Sequence, residues 1–280
     1  MIILVALALL PAVVLCMYVY KRDSVEKEPL GLLMKLFFLG ALCCFPAAYI
    51  EEYALEFIKN FFPVKAVAVM EMGAIKSYTF GSYLYLFAKS FIGIAFVEEG
   101  VKFFVLTRVT SDNKNFNCLF DGLIYSVFVS LGFAALENVL YVVNLGFTVG
   151  VARALMSVPG HMFFAVLMGC YYSSWHVTYR AELTEKYMKK KGLIERIRRP
   201  FDSENIGLKG LLVATAAHGF YDFCCMSGTK WGMYLLYAFV LFMYHHCFKK
   251  IADMSWDDRY EDEYIEEEIE EKYPEFFDKF

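Results

Sequence analysis

The chain lacks several features that are typical of soluble and secreted proteins. It has eight cysteines, but no CxxC pair and no cysteine in a predicted outer loop, which excludes a disulfide framework and a thiolate zinc site. It has no internal repeat, no Pro-, Gly- or Ser-rich linker, and no charge pattern that indicates a nucleic-acid partner. Charged residues make up only 21% of the chain, whereas hydrophobic residues make up 59%. With a mean hydropathy of +0.44, this composition is typical of a membrane protein.

Seven apolar runs approach or exceed the roughly 20 residues that a helix needs to cross a bilayer. They cover about 1–20, 30–50, 81–106, 119–145, 152–175, 208–226 and 231–248. The first run has no basic segment before it and no small-residue cleavage site, so we expect an uncleaved anchor rather than a signal peptide. The sequence therefore predicts an all-α, polytopic membrane helix bundle with about seven spans.

The charges of the connecting loops predict the orientation of this bundle. Thirteen Lys and Arg residues fall in loops 21–29, 107–118 and 176–207, against five in segments 51–80, 146–153 and 227–230. Because basic loops remain on the cytoplasmic side, we expect the N-terminus outside and the C-terminus inside. Within loop 176–207, a helix is expected around 180–191 and should end at Gly192.

Net charge divides the chain into two parts. Residues 250–280 carry a net charge of −9 and residues 1–249 carry +5, which suits contact with an anionic inner leaflet. We predict a membrane-embedded domain over 1–249 and an acidic cytoplasmic tail over 250–280. The tail is expected to be solvated and partly disordered, with docking of a partner as the alternative.

Ionisable residues inside the predicted spans carry the functional hypothesis, because each costs roughly 2.5–3.5 kcal/mol at membrane depth. In the third span, Glu98 and Lys102 are spaced i,i+4 and Glu99 and Lys102 i,i+3, so the ammonium can reach either carboxylate. Snorkelling of a helix end to the interface would explain Lys102, but not two acidic residues one turn deeper.

The fourth span carries Glu137 and Asn138 directly after the small residues Gly132, Ala134 and Ala135. Small residues let helices approach closely. A buried Glu137 then needs a cation, a proton or a water as a partner. A structural hydrogen bond between helices is the alternative role, and it suits Asn138 better than Glu137.

Two histidines complete the set of candidates. His161 follows Pro159-Gly160, where we expect a helix break that frees backbone groups for a substrate or water. His218 and Asp222 are spaced i,i+4, so the carboxylate can orient the imidazole. The remaining histidines, His176, His245 and His246, are expected near the membrane surface without a chemical role.

The distance of each of these groups from the inner membrane surface follows from the number of residues to the inner end of its predicted span, at about 1.5 Å per residue. Glu98, His161, His218 and Asp222 come to about 13–21 Å, whereas Glu137 comes to about 27 Å. Four of the five groups are therefore predicted to share a layer in the inner-to-middle bilayer, and Glu137 disagrees.

Carboxylates and imidazoles in one layer suit peptide hydrolysis. A carboxylate can activate water as a general base, and imidazoles can orient that water or stabilise the oxyanion. Zinc held by two His and one carboxylate is the alternative, although no HExxH helix is present. A proton-coupled transporter also uses buried carboxylates, but no paired broken helices occur in corresponding halves of the chain.

Six segments, in one order, resemble the PrsW family of bacterial intramembrane proteases over nearly the whole of 1–248. They are Arg22-Asp23 with Glu26-Lys27-Glu28-Pro29; Glu98-Glu99-x-x-Lys102; Asp121-Gly122-Leu123-Ile124-Tyr125; Gly132-Phe133-Ala134-Ala135-Leu136-Glu137-Asn138-Val139-Leu140-Tyr141; His161 after Pro159-Gly160; and His218-x-x-x-Asp222. The acidic tail has no counterpart in the family pattern.

The resemblance implies a multi-pass protease of the bacterial inner membrane, related to the glutamic CaaX-protease superfamily, in which a Glu activates water without a metal. It implies a membrane-spanning anti-sigma factor as substrate, with a single span expected, cut to start a stress response. No cofactor is expected, with zinc as the alternative because the family has been described both as metallo- and as glutamic-type. The candidate site residues are Glu98, Glu99, Lys102, Glu137, Asn138, His161, His218 and Asp222.

Overall fold

The structure, a computed structural model, describes residues 2–71, 79–198 and 203–277. Within these ranges the chain is helical, and an isolated bridge between Cys118 and Tyr260 is the one β-type pairing. The helices are α1 (Ile2–Arg22), α2 (Leu30–Leu42), α3 (Cys44–Lys59), α4 (Val64–Glu71), α5 (Phe80–Phe87), a π-helical segment (Ala88–Ala95), α6 (Phe96–Thr110), α7 (Asp121–Leu145), α8 (Phe147–Leu155), α9 (Ser157–Lys190), α10 (Glu204–Met226), α11 (Lys230–Trp256), α12 (Glu261–Lys272) and α13 (Pro274–Phe277).

Five segments of the described chain are long and apolar enough to cross a membrane. They are Leu4–Arg22, Leu30–Lys59, Phe80–Thr110, Asp121–Leu145 and Phe147–Lys190, and they correspond to the first five predicted spans. The sixth and seventh predicted spans fall on α10 and α11, which are 23 and 27 residues long but less apolar. The all-α polytopic bundle is thus confirmed, while the total of seven spans and the orientation of the termini stay predictions.

Two predicted spans are broken helices, and proline explains both breaks. A proline ring clashes with the carbonyl of residue i−4. Accordingly α2 ends at Leu42, four residues before Pro46, and α8 ends at Leu155, four residues before Pro159. The second break was expected at Pro159-Gly160 itself, which is wrong: the amide of Gly160 donates to the Met156 carbonyl at 2.9 Å. The break lies one turn earlier, at Met156.

Helix α7 forms the centre of the bundle and is buried along most of its length between α1, α2 and α9. Glycines let α2 and α7 touch through their backbones. A Cβ at Gly132 would overlap the Phe37 carbonyl oxygen, and a Cβ at Gly40 would overlap that of Val129. The close approach expected at Gly132 is therefore confirmed.

Helix α9 continues as predicted beyond the bundle, to Lys190, and the chain turns at Gly192 with a φ of +71°. The acidic tail packs against this extension, so the expectation of a solvated, partly disordered tail is wrong for the part described. One face of α12 and the residue after it pack on α9 and on the turn that follows it; the buried residues are Ala181, Met188, Ile194, Ile265, Ile269 and Tyr273. The predicted boundary after residue 249 falls inside α11.

Histidine 176 anchors the start of this packed tail. Its Nδ1 lies 2.7 Å from the Glu261 carboxylate, both side chains are buried, and the ring stacks on Phe116 at 3.7 Å. His176 was expected at the start of the inner loop, without a chemical role. Its role is a cross-link between α9 and α12.

Candidate active site

The glutamate pair lies on a helix with an unusual turn. α5, the π-helical segment and α6 form one continuous helix, and π-helical turns are frequently found at functional sites. Gly219 of α10 packs against Phe91 of the π-helical segment, where a Cβ would approach the ring to 2.6 Å. This close approach brings His218, the neighbour of Gly219, to Glu99.

The ammonium of Lys102 stands at the centre of the site. Its Nζ lies 3.0 Å from Glu98 Oε2, 2.8 Å from Glu99 Oε1 and 3.2 Å from His161 Nδ1. It also sits 4.0 Å from the centre of the Phe133 ring, whose face is electron-rich. The predicted i,i+3 and i,i+4 contacts are therefore both present, and one buried cation joins α6 to α9.

The two glutamates differ in what they face. Glu99 is completely buried, and its Oε1 is shared between Lys102 and His218 Nδ1, the latter at 2.9 Å. Glu98 uses one oxygen for Lys102 and lines a cavity of about 320 Å³. Water in the cavity therefore reaches Glu98 and not Glu99.

His161 joins the second carboxylate to the cluster. A lysine ammonium can only donate, so Nδ1 of His161 accepts from Lys102, and Nε2 carries the proton and donates to Glu137 at 2.9 Å. Arg153 of α8 lies on the other side of Glu137, with its Nη2 2.8 Å from Glu137 Oε2 and its guanidinium 4.0 Å from the Tyr141 ring. Glu137 thus holds the tautomer of His161 and is itself neutralised by an arginine.

His218 has one nitrogen left for chemistry. Its Nδ1 is bonded to Glu99, and its Nε2 lies 3.6 Å from Asp222 Oδ2, longer than a hydrogen bond. Phe164 stacks on the ring at 4.7 Å and fixes its plane. Nε2 and the Asp222 carboxylate therefore face the cavity together.

Charged side chains from six helices line the cavity. Those lining it are Glu51, Glu98, Glu137, Arg153, His161, His218 and Asp222. Seven of the eight predicted site residues therefore meet in or directly beneath one cavity, with Glu99 and Lys102 forming its floor. Asn138 lies apart, and its Nδ2 donates to the Ala8 carbonyl at 2.8 Å, which ties α7 to α1.

The site lies nearer the other helix ends than the predicted depths indicate. His161 is four residues into α9, Asp222 is four residues before the end of α10, and Glu137 is eight before the end of α7. Under the predicted orientation these are the outer ends. The extension of α9 to Lys190 lies beyond the bundle and does not change the span boundary used for the count from the inner side, so the predicted depths stay predictions. Glu137, which disagreed with the other groups, is in direct contact with His161.

Two charged residues of the cavity escaped the sequence analysis, Glu51 and Arg153. Glu51 follows the predicted second span by one residue, and Arg153 was counted as a loop cation. The expected need of Glu137 for a cationic partner indicated that an Arg or Lys lies nearby. Which helix supplies this cation depends on how α7 and α8 pack against each other. Sequence alone does not identify which of the outer cations is the partner.

The cluster also contains donors of the types that bind zinc. One atom each of Glu98, Glu99, His161 and His218 lie within 4.8 Å of one another, and two imidazoles with carboxylates suit zinc. However, the Lys102 ammonium is bonded to three of these four side chains. A metal ion at their centre would have to displace a buried cation, so the donor set does not fit a metal in this arrangement.

Comparison with known proteins gives a consistent result over most of the chain. A family model described as “PrsW family intramembrane metalloprotease” matches residues 28–245. A “Protease PrsW” of Geobacillus kaustophilus (strain HTA426) is 32% identical over 232 residues, 83% of this chain and 84% of the relative. Proteins of that name from Clostridioides difficile (strain 630) and Bacillus subtilis (strain 168) are each 28% identical over 85% and 86% of this chain, and 85% and 90% of their own lengths. No solved structure matches significantly.

Proposed function

This chain belongs to the PrsW family of intramembrane proteases, and we propose that it cuts its substrate with a water activated by Glu98, without a metal. The observation that carries this proposal is the Lys102 ammonium, bonded at once to Glu98, Glu99 and His161. A cation built into the chain then fulfils the electrostatic role that a metal would have in a metalloprotease.

Glu98 is the proposed general base because it is the member of the glutamate pair that lines the cavity. Its carboxylate accepts a proton from water while the water oxygen attacks the carbonyl carbon of the peptide bond. The protonated carboxyl then returns the proton to the leaving nitrogen as the C–N bond breaks. Glu99 is a positioning residue, since both of its contacts are made beneath the cavity.

Two histidines support this step. Nε2 of His218 faces the cavity beside Asp222 and can orient the attacking water or donate to the oxyanion. His161 is fixed between Lys102 and Glu137 and lies 5.3 Å from His218, ring centre to ring centre. Glu99 and Glu137 hold the two imidazoles, Asp222 faces the cavity beside His218, and Asn138 has a structural role at the α1 contact.

The zinc-dependent alternative rests on the printed description of the family model and on the donor types of the cluster. It requires Lys102 to leave the centre of the cluster. Withdrawing a buried ammonium from two carboxylates leaves a buried charge without compensation, which is costly. The ion pairs of Lys102 therefore favour the metal-free mechanism.

The family and the location of the cavity support the proposed substrate class. The chain is an integral membrane protein, and we propose the bacterial inner membrane as its location. The proposed substrate is a single-span anti-sigma factor, whose cleavage starts a stress response. Because the cavity lies near helix ends, the substrate should unwind near a membrane boundary to present an extended peptide.

The test is cleavage of a single-span substrate by purified protein in detergent. Glu98→Gln keeps the shape of the side chain and removes the base, so the rate should fall by about 10²–10⁴. Glu52→Gln, an exposed neighbour of Glu51, is the matched control and should cleave normally. Normal cleavage by a folded Glu98→Gln variant would contradict the assignment of the base.

Chelation separates the two mechanisms. A metal-free site predicts unchanged cleavage after treatment with a strong chelator, and much less than one zinc per chain by elemental analysis. Stoichiometric zinc that is lost and restored together with activity would overturn the metal-free proposal. Glu98, His161 and His218 would then be reassigned as candidate ligands.

A further inference from the structure

A second buried polar cluster lies at the opposite end of the bundle, on the predicted cytoplasmic side. We name it the acidic junction; it consists of Asp23, Glu28, Asn117, Asp121 and Asp258. Asp23 follows α1, Glu28 precedes α2, Asp121 begins α7 and Asp258 follows α11. Two sequence segments that the proteolytic site leaves unused, 22–29 and 121–125, therefore meet here with the start of the tail.

The carboxyl groups of the acidic junction are close together, and all of them but the half-buried Asp258 are shielded from water. Asp23 and Asp121 are completely buried, and Glu28 is 3% exposed. The Glu28 and Asp121 carboxyls lie near enough to each other to interact electrostatically. Asp23 lies near enough to interact electrostatically with Glu28, Asp121 and Asp258.

Each side chain of the acidic junction that carries a carboxyl accepts at least one hydrogen bond. The donors are the Glu28 amide to Asp23, the Tyr125 hydroxyl to Glu28, the Asn117 and Cys118 amides to Asp121, and the Phe120 amide to Asp258, at 2.7–2.9 Å. Four buried oxygens still have no donor within the described chain: Asp23 Oδ1, Asn117 Oδ1, Asp121 Oδ1 and Asp258 Oδ2. A buried acceptor without a partner is costly and often marks a water or an ion.

The basic side chains nearby are used elsewhere. The Lys27 ammonium donates to the main-chain oxygens of Tyr20 and Asp23 at the end of α1. Arg259 pairs with Glu267 of α12 at 2.6 Å. The acidic junction therefore has four carboxyl groups and unpaired acceptors, but no side-chain cation within the described residues that is bonded to its carboxylates.

We infer that the acidic junction binds a hydrated divalent cation of the Mg²⁺ type. All of its side-chain ligands are hard oxygens, with no imidazole and no coordinating thiolate, which suits Mg²⁺ or Ca²⁺. Among the described residues no three of these carboxylates form a single group of ligands within one coordination shell. The ion would therefore contact at most two carboxylates directly and reach the others through water, as Mg²⁺ commonly does.

The position of the acidic junction indicates a structural role for the cation. It would join the end of α1, the start of α7 and the segment between α11 and α12, where Cys118 pairs with Tyr260. These segments are 97 or more residues apart in the chain, and no disulfide links them. Cation binding should therefore stabilise the cytoplasmic end of the bundle without touching the proteolytic cavity.

The experiment is thermal unfolding of the full-length protein in detergent after treatment with EDTA. Addition of MgCl₂ should give a saturable rise in Tm of about 3 °C or more, whereas NaCl of equal ionic strength should not. The Glu98→Gln variant should show the same rise, which separates this site from the proteolytic one. A failed proteolysis assay would not affect this outcome, and a failed cation assay would not affect proteolysis.

Two substitutions distinguish a cation site from carboxyls that only share a proton. Asp121→Asn and Asp23→Asn remove ligands, so each variant should need at least about tenfold more Mg²⁺ for the same rise in Tm. Asp112→Asn, an exposed acidic residue of the same loop, is the matched control. If the carboxyls only share a proton, the Asn variants will be as stable as the parent or more stable.

The wild-type protein gives the decisive result if a variant fails to fold. Mn²⁺ can replace Mg²⁺ as a paramagnetic probe, and one bound Mn²⁺ per chain that Mg²⁺ displaces is the expected finding. Absence of a Mg²⁺-dependent rise in Tm together with absence of bound Mn²⁺ would overturn the proposal.

Discussion

The proteolytic cluster and the acidic junction both bury several acidic side chains, but they compensate the charge in different ways. In the proteolytic cluster, Lys102 bonds Glu98 and Glu99, and Arg153 pairs with Glu137. In the acidic junction the donors to the carboxyl groups are main-chain amides and one tyrosine hydroxyl, and several oxygens stay unpaired. An internal cation lets a buried carboxylate keep the charge that general-base catalysis requires. A cluster without one must hold protons or take up a cation from solution.

The largest expected effect is the loss of the internal cation itself. Lys102→Met leaves two buried carboxylates without their partner and should lower the free energy of unfolding by about 3–5 kcal/mol. Lys35→Met, an exposed lysine of α2, is the control and should change it by less than about 0.5 kcal/mol. Combining Lys102→Met with Glu98→Gln and Glu99→Gln should recover most of the loss. A stable Lys102→Met single variant would contradict the compensation argument.

The comparison also explains how much of the site could be predicted. Contacts within one helix follow from spacing, so the Glu98–Lys102 and Glu99–Lys102 pairs were expected and are present. Contacts between helices depend on how the helices pack, so neither Arg153 nor Glu51 was selected. The same limit applies to His218, whose bonded carboxylate is Glu99 of α6 rather than Asp222 of its own helix.

Prediction of the fold from the sequence has the same limit: local properties could be predicted, and contacts between distant residues could not. Apolar runs predicted the five bilayer-length segments, because hydrophobicity over about 20 residues is a local property. The end of α8 and the docking of the tail depend instead on contacts between particular residues. Pro159 acts on the residue four before it, which moved the break to Met156. Ile265 and Ile269 lie among many carboxylates, so only the buried face of α12 reveals why they occur at that spacing.

The second prediction tests the other cation of the proteolytic cluster. Arg153→Gln removes the cation that keeps Glu137 ionised and in position, so Glu137 no longer fixes the tautomer of His161, and we expect kcat to fall by roughly 10–100-fold. Because Arg153 acts through Glu137, KM should change by less than about threefold, and Arg153→Lys should restore part of the rate. Lys230→Gln, an exposed lysine on the same predicted side, is the control. A large increase in KM at constant kcat would indicate substrate binding instead.

The third prediction uses the acidic junction. Burial raises the pKa of Glu28 to about 7 and that of Asp258 to about 6. A carboxyl with a raised pKa in the folded state stabilises the fold below its ordinary pKa, and this contribution is lost as pH rises to the folded value. In EDTA, Tm should therefore fall between about pH 5 and pH 7. The other charged or titratable groups around Glu28 are Asp23, Glu26, Lys27, Asp121 and Tyr125.

Mg²⁺ sharpens this third prediction, because a cation competes with protons for the same oxygens. The Mg²⁺-dependent rise in Tm should be larger at pH 8 than at pH 6. Glu28→Gln cannot ionise and should flatten the pH dependence measured in EDTA. A Tm in EDTA that rises from pH 5 to pH 7 would show that other groups control stability in this range.

The smallest effect on proteolysis is expected from the tail. His176, where α12 is anchored, lies 15 residues after His161, which is about 22 Å along α9. Removal of residues 261–280 keeps Asp258 and all of α11, so cleavage of a short peptide should stay within about twofold of the full-length rate. Tm should fall, because Ala181, Met188 and Ile194 lose their covering residues.

Ile265→Asp with Ile269→Asp should undock the tail at full length and give the same two results. If either variant stays folded but loses cleavage of the short peptide by more than about tenfold, the docked tail must act on the proteolytic cluster through α9. The division between a catalytic bundle and a dispensable tail would then be wrong.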